Sequence, residues 1–167
     1  MTAARLASAL GLAAVVAACV TESSGTYVTP PLPDRASFPA VSDLLERRCG
    51  TLDCHGDSFR NLRVYGREGL RLDPTARPTS KANTTTMAEY DATFQSLVAL
   101  EPEIMGAVVA DGGAHPERLT FIRKARGTED HKGLMIWAEG GLEDLCVTRW
   151  LAGKFDAATC TNAYAAR

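Results

Sequence analysis

Apolar positions recur on helical spacings in several stretches of the chain. Over Phe38 to Arg48, Val41, Leu44 and Leu45 fall at i, i+3 and i+4, while Asp43 and Glu46 take the outward side and Pro39 suits a first turn. Thr86-Met87-Ala88-Glu89 fits a capping box, and Tyr90, Phe94, Leu97 and Val98 continue it at i, i+4, i+7 and i+8, predicting a helix that ends before Pro102. Pro102 opens another, with Ile104, Met105, Val108 and Val109 apolar, and Asp111-Gly112-Gly113 stops it. His115-Pro116 begins a third, with Leu119, Phe121 and Ile122 inward and Gly127 at its end. A final helix is predicted from about Leu142 to Ala152, with Leu142, Leu145, Cys146, Arg149 and Trp150 sharing one side and Gly153 after it.

The intervening stretches carry no helical period. Gly56 to Asp73 is broken by Gly66 and Gly69, and Leu62, Val64, Leu70 and Leu72 alternate loosely, which suits a short hairpin or a loop draped over a flat apolar object. Pro74 to Thr85 is a polar linker, Thr128 to Gly141 a loop, and Asp156 to Arg167 a tail that a Cys146–Cys160 bond would pin. Strand signals are few and no repeat is present, so the expected fold class is mainly α.

The N-terminus changes the picture. Met1 to Arg5 carries one positive charge, and Leu6 to Ala18 is an apolar run too short to span a bilayer comfortably, the pattern of a secretory signal. It closes on Val16-Ala17-Ala18-Cys19, which is similar to a bacterial lipobox, so residues 1–18 are expected to be removed and Cys19 lipidated. The alternative is an ordinary signal that leaves Cys19 as a spare thiol. Val20 to Ser37 holds Pro30, Pro31 and Pro33 with no apolar period and reads as an extended tether, leaving a domain over 38–160. The expected location is the periplasm, held to a membrane, with the outer membrane favoured. A formal net charge of −2 without a basic patch argues against nucleic acid as a partner.

The most specific chemistry lies at Cys49-Gly50-Thr51-Leu52-Asp53-Cys54-His55, followed by Gly56. Two nearby cysteines, the second followed by histidine, follow the logic of c-type haem attachment, with each thiol forming a thioether and the histidine supplying the proximal nitrogen to iron. Four residues separate the cysteines here, where two are usual; Gly50 eases an outward loop. Two other uses of the same residues remain open. Cys49 and Cys54 can pair with each other or with distant cysteines, and a zinc site would need His115 or His131 as its fourth ligand. Cys146 and Cys160 can form one disulfide, which leaves the first pair available. Arg60, Arg63, Arg67 and Arg71 either meet the haem carboxylates or form a solvated face. Met87 and Met105 read as packing residues and His115 as a local cap or surface residue. Neither G-x-S-x-G, a P-loop nor GxGxxG occurs, so an electron carrier or binding module is expected in preference to an enzyme.

The order of short helix, CxxxxCH, irregular loop, helices, His/Met loop and closing helix resembles the single-haem cytochrome c fold over roughly residues 38–153. The closer likeness is to cytochrome c-like domains of secreted planctomycete and myxobacterial proteins. It rests on Cys54-His55-Gly56, Asn61-Leu62-Arg63, Leu119 to Gly127, His131-Lys132-Gly133 and Trp150-Leu151-Ala152-Gly153. The resemblance implies a haem c held through Cys49 and Cys54, His55 on iron, and a distal ligand from the loop before the last helix, with His131 first and Met135 as the alternative. It also implies electron transfer with redox protein partners, or haem sensing. The competing expectation is a disulfide-stabilised structural or interaction lipoprotein that carries no haem.

Overall fold

The computed structural model describes residues 29–76 and 84–166, so the expected signal, Cys19 and the first half of the tether lie outside the described residues. The fold is mainly α, with one isolated bridge between Tyr65 and Leu70. In chain order the helices are α1 (Phe38–Cys49), α2 (Met87–Val98), α3 (Pro102–Ala110), a 3-10 turn (Pro116–Arg118), α4 (Thr120–Ala125), α5 (Leu142–Leu151) and α6 (Ala157–Ala165). Among the described residues no helix is long and apolar enough to cross a membrane.

Helix α1 packs against α2, α5 and α6, and α5 lies along α6. The junction is aromatic. Phe38 sets its ring 5.2 Å from Phe94 and 5.1 Å from Trp150, and all three are buried. Edge and tilted contacts of this kind add to the area term of burial. Trp150 also donates its indole N–H to the carbonyl of Asp34 at 2.7 Å, so the last part of the expected tether is docked. Pro30 lies so close to α3 that a methyl on Gly106 would fall 2.3 Å from its Cβ, and Pro33 is buried.

Local chemistry sets the helix ends. Thr86 and Glu89 form the predicted capping box, and the Glu89 carboxylate also receives Arg71 at 2.7 and 3.0 Å, which fastens the end of the irregular stretch to the start of α2. The helix expected from His115 is interrupted. Leu119 is extended (φ −80°, ψ 126°), and α4 starts only at Thr120, whose N–H and hydroxyl both donate to Glu101. The expected tail is helical instead. Asp156 accepts from the N–H groups of Ala158 and Thr159 and starts α6. A Cys146–Cys160 disulfide joins α6 to α5, with both cysteines buried.

Glu46 departs from its expected outward position. It is 4% exposed, with its carboxyl packed against the backbone of Gly66, where a methyl would come within 2.0 Å of it. Thr85 donates to it, and desolvation, helped by Asp43, Glu68 and Glu89, pushes its pKa up to about 7. The unfolded chain ionises this group near 4.5, so the folded state holds the extra proton between the two values. Stability is therefore predicted to fall by about 3 kcal/mol as pH rises from 4.5 to 7, and to level off beyond. Urea unfolding across this range checks it: Glu46→Gln should remove that component of the slope, and an unchanged slope would refute the assignment.

Candidate functional site

The last turn of α1 delivers Leu45 and Cys49 to a cleft of about 470 Å³. The segment after it is folded by its own backbone. His55 donates its N–H to the carbonyl of Cys49 at 2.9 Å, and Cys54 and Gly56 both donate to Thr51 at 2.9 Å. The residues between the cysteines thus form an outward turn, with Thr51, Leu52 and Asp53 exposed, while Cys49, Cys54 and His55 all face the cleft. Close approach of backbone makes this turn possible. A methyl on Gly56 or Gly69 would lie 2.1 or 1.8 Å from the carbonyl oxygen of Gly50, so only glycine fits at either place.

His55 is aimed by its neighbours. Its Nδ1 lies 3.0 Å from the carbonyl of Leu62. A carbonyl can only accept, so Nδ1 carries the hydrogen and Nε2 keeps its lone pair. The segment that supplies this carbonyl is sewn along α2: Arg63 N–H donates to Ser96 Oγ at 2.8 Å and Tyr65 N–H to Thr93 Oγ1 at 2.9 Å. Burial of the ring lowers the pKa of His55, with the charges of His131 and Arg60 acting the same way and the Leu62 bond opposing. The imidazole is thereby held in its neutral form, the one that ligates metals.

His131 reaches the same cleft from the loop between α4 and α5. The base of that loop is clamped by the buried pair Arg126–Asp144, bonded at 2.8 and 2.9 Å, with Gly140 N–H also donating to Asp144. On its far side, Ile136 and Trp137 donate their N–H groups to the carbonyl of Ala125. The His131 ring has Nδ1 3.2 Å from the carbonyl of Leu134, the same tautomer logic as His55. The two imidazoles lie 6.1 Å apart, centroid to centroid, and 18° from parallel.

The cleft wall is apolar, with Leu62, Leu100, Phe121, Ile136 and Trp137, and Arg60, Lys124 and Lys132 line it beside Asp53 and Asp130. Trp137 is 3% exposed, yet its indole N–H has no acceptor. Such a buried donor is costly unless a ligand supplies its partner.

Other candidates sit elsewhere. Met135 is 62% exposed, packs its Cβ over Gly127, and is not among the residues facing the cleft. His115 is exposed in a left-handed conformation, its ring against Glu117. Of the four arginines, only Arg60 reaches the cleft. Arg67 bonds Glu68 and Tyr164, Arg71 bonds Glu89, and the exposed Arg63 lines a neighbouring surface depression. Among the described residues no three His, Cys, Asp or Glu side chains converge as a metal cage. Lys124, Lys132 and Trp137 were not singled out for the cleft by sequence; an aromatic inside a glycine-containing polar loop is the one signal that marks Trp137.

Comparison with family models, curated proteins and solved structures returns no match.

Cys49 and Cys54 are both free thiols. Burial, with some help from Cys54, pushes the Cys49 thiol up to about 12, so it is almost wholly protonated at neutral pH and reacts slowly. Iodoacetamide added to the folded chain is therefore predicted to modify Cys54 before Cys49, as read by peptide mass spectrometry. Labelling of Cys49 first would contradict this geometry.

Proposed function

We propose that the chain is a monohaem c-type electron carrier, tethered to a membrane through a lipid on Cys19. The observation that carries this reading is the pair of near-parallel imidazoles, 6.1 Å apart, facing one cleft beside two free thiols. Two protein ligands are the number that a porphyrin leaves to be filled on iron. The cleft volume falls within the roughly 300–1,000 Å³ of cofactor sites. The unpartnered N–H of Trp137 suits a group that brings its own carboxylates.

In this reading His55 and His131 would supply the two nitrogen ligands to iron. Cys49 and Cys54 would each hold the group through a thioether to one of its vinyl substituents. Trp137, Arg60, Lys124 and Lys132 meet the carboxylates, where charge-assisted bonds are strongest. The haem supplies the one-electron iron couple, and two histidines set its potential below that of a His/Met pair. The apolar wall keeps water from the site, and redox proteins are the partners.

Production of residues 19–167 with a c-haem maturation system tests the reading. The expected product has a Soret band that survives acid–acetone extraction. Cys49→Ser or Cys54→Ser should each leave a single thioether and a red-shifted reduced band. His131→Ala should change the oxidised spectrum, whereas Met135→Ala should leave it unaltered. A colourless product with Cys49 bridged to Cys54 would overturn the proposal in favour of a haem-free interaction lipoprotein.

A further inference from the structure

Glu46 and Cys49 lie one helical turn apart on α1, and a second loop bridges them. That loop is the Gly66–Leu70 turn, closed by Gly66 N–H to the carbonyl of Leu70 at 2.8 Å and by Gly69 N–H to that of Gly66 at 3.2 Å. Its two ends are pinned to α2: Tyr65 N–H donates to Thr93 Oγ1, and Arg71 pairs with Glu89. Between these pins the turn is seated on Glu46. Gly66 covers the carboxyl, and Arg67 N–H donates at 3.2 Å to Thr85 Oγ1, the same hydroxyl that lies 2.8 and 2.9 Å from the two Glu46 oxygens.

Gly69, further along the turn, carries the contact onward. It sits against the carbonyl of Gly50, and a methyl on it would be 3.5 Å from Cα of Gly56. Those two glycines shape the CxxxxCH turn, which His55 N–H closes onto the carbonyl of Cys49. Gly50, Gly56, Gly66 and Gly69 are all buried. A displacement at Gly66 therefore reaches the residue next to Cys49 through packed backbone, with no side chain between to absorb it.

A carboxylate at Glu46 is poorly served in this arrangement. One hydroxyl serves both oxygens, and among the described residues no cation pairs with it. The charged and titratable groups around it are engaged elsewhere. On α1, Asp43 accepts from Tyr90 of α2, and Arg47 lies over the Tyr164 ring of α6. On the loop, Arg67 and Glu68 bond each other and Tyr164, and Arg71 takes Glu89. Asp43, Glu68 and Glu89 add like charge. A buried carboxyl so placed keeps its proton, or loses it and draws in water by moving its cover.

We propose that Glu46 is a proton-operated latch on the cysteine turn. With its proton, the Gly66–Leu70 turn is seated and Cys49 is half-buried. When the proton leaves to water, the turn lifts between its pins, and Gly50 and Cys49 beside it come into solvent. The lifted state ionises near 4.5 and the seated state at about 7, so lifting grows about tenfold per pH unit between these values and levels off above them. The latch does not depend on what occupies the cleft.

Amide exchange reads it on the folded chain, made without haem maturation so that Cys49 and Cys54 stay free. Protection at Gly66 and Gly69, corrected for the intrinsic rate, should fall about tenfold per pH unit from 4.5 to about 7 and then level off. Low urea should leave that exchange unchanged and accelerate exchange at Trp150, since only Trp150 needs global opening. Alkylation of Cys49 by iodoacetamide should climb about a hundredfold per pH unit over the same range, one factor of ten from the thiolate and one from the latch. In Glu46→Gln the climb should be about tenfold and the protection at Gly66 flat, with retained protection at Trp150 showing that the variant folds. Flat protection in the parent, equal urea dependence at Gly66 and Trp150, or equal alkylation slopes in the parent and Glu46→Gln would each overturn the latch. None of these results bears on whether haem is bound.

Discussion

The contact of Phe38, Phe94 and Trp150 is the constraint on which the rest depends. It joins α1, α2 and α5 at a single buried point, and the indole N–H of Trp150 adds the segment before α1 through Asp34. Three parts of the candidate site connect to those helices, and α4 supplies the rest. The CxxxxCH turn continues α1, the Leu62–Tyr65 segment that aims His55 lies along α2, and the loop bearing His131 runs into α5. The turns themselves contain little regular structure, so the helices that the aromatic junction joins provide much of their support. Loss of packing there would propagate to the site even though no member of the trio touches it.

Electrostatics divides the molecule into two regions. One holds Glu46, Glu89, Arg71 and Thr85, a polar seam beneath the irregular stretch in which Arg71 pairs with Glu89 and burial raises the pKa of Glu46. The other is the cleft, where both imidazoles face the same space and the polar lining includes Arg60, Lys124 and Lys132. The first region holds loops to helices. The second concentrates unused bonding capacity, namely two thiols, two ring nitrogens and one indole N–H.

Much of the helical skeleton was legible in the sequence, because capping boxes, prolines and i, i+4 apolar pairs act locally. Thr86 with Glu89 and the Val41, Leu44, Leu45 face needed no tertiary information. Glu46 was misplaced because helical periodicity assigns a direction and not a neighbour: the surface it faces is covered by Gly66, brought there from twenty residues downstream. The same reason hides the fates of Arg67 and Arg71, whose carboxylate partners are set by chain crossing. Helix α6 has a weak apolar pattern and relies on Asp156 and the bond to α5. At the site, CxxxxCH was legible as a motif, while the alignment of His55 with His131 and the role of Trp137 arise only when two distant loops meet.

The chain carries two cysteine pairs in opposite circumstances. Cys146 and Cys160 are sealed between α5 and α6, whereas Cys49 and Cys54 remain at the edge of an accessible hollow. A reagent, enzyme or prosthetic group arriving after the helices have assembled can meet only the second pair. Sulfur in these two pairs thus differs in access: one pair is bonded and closed off between helices, and the other is reduced and borders open space.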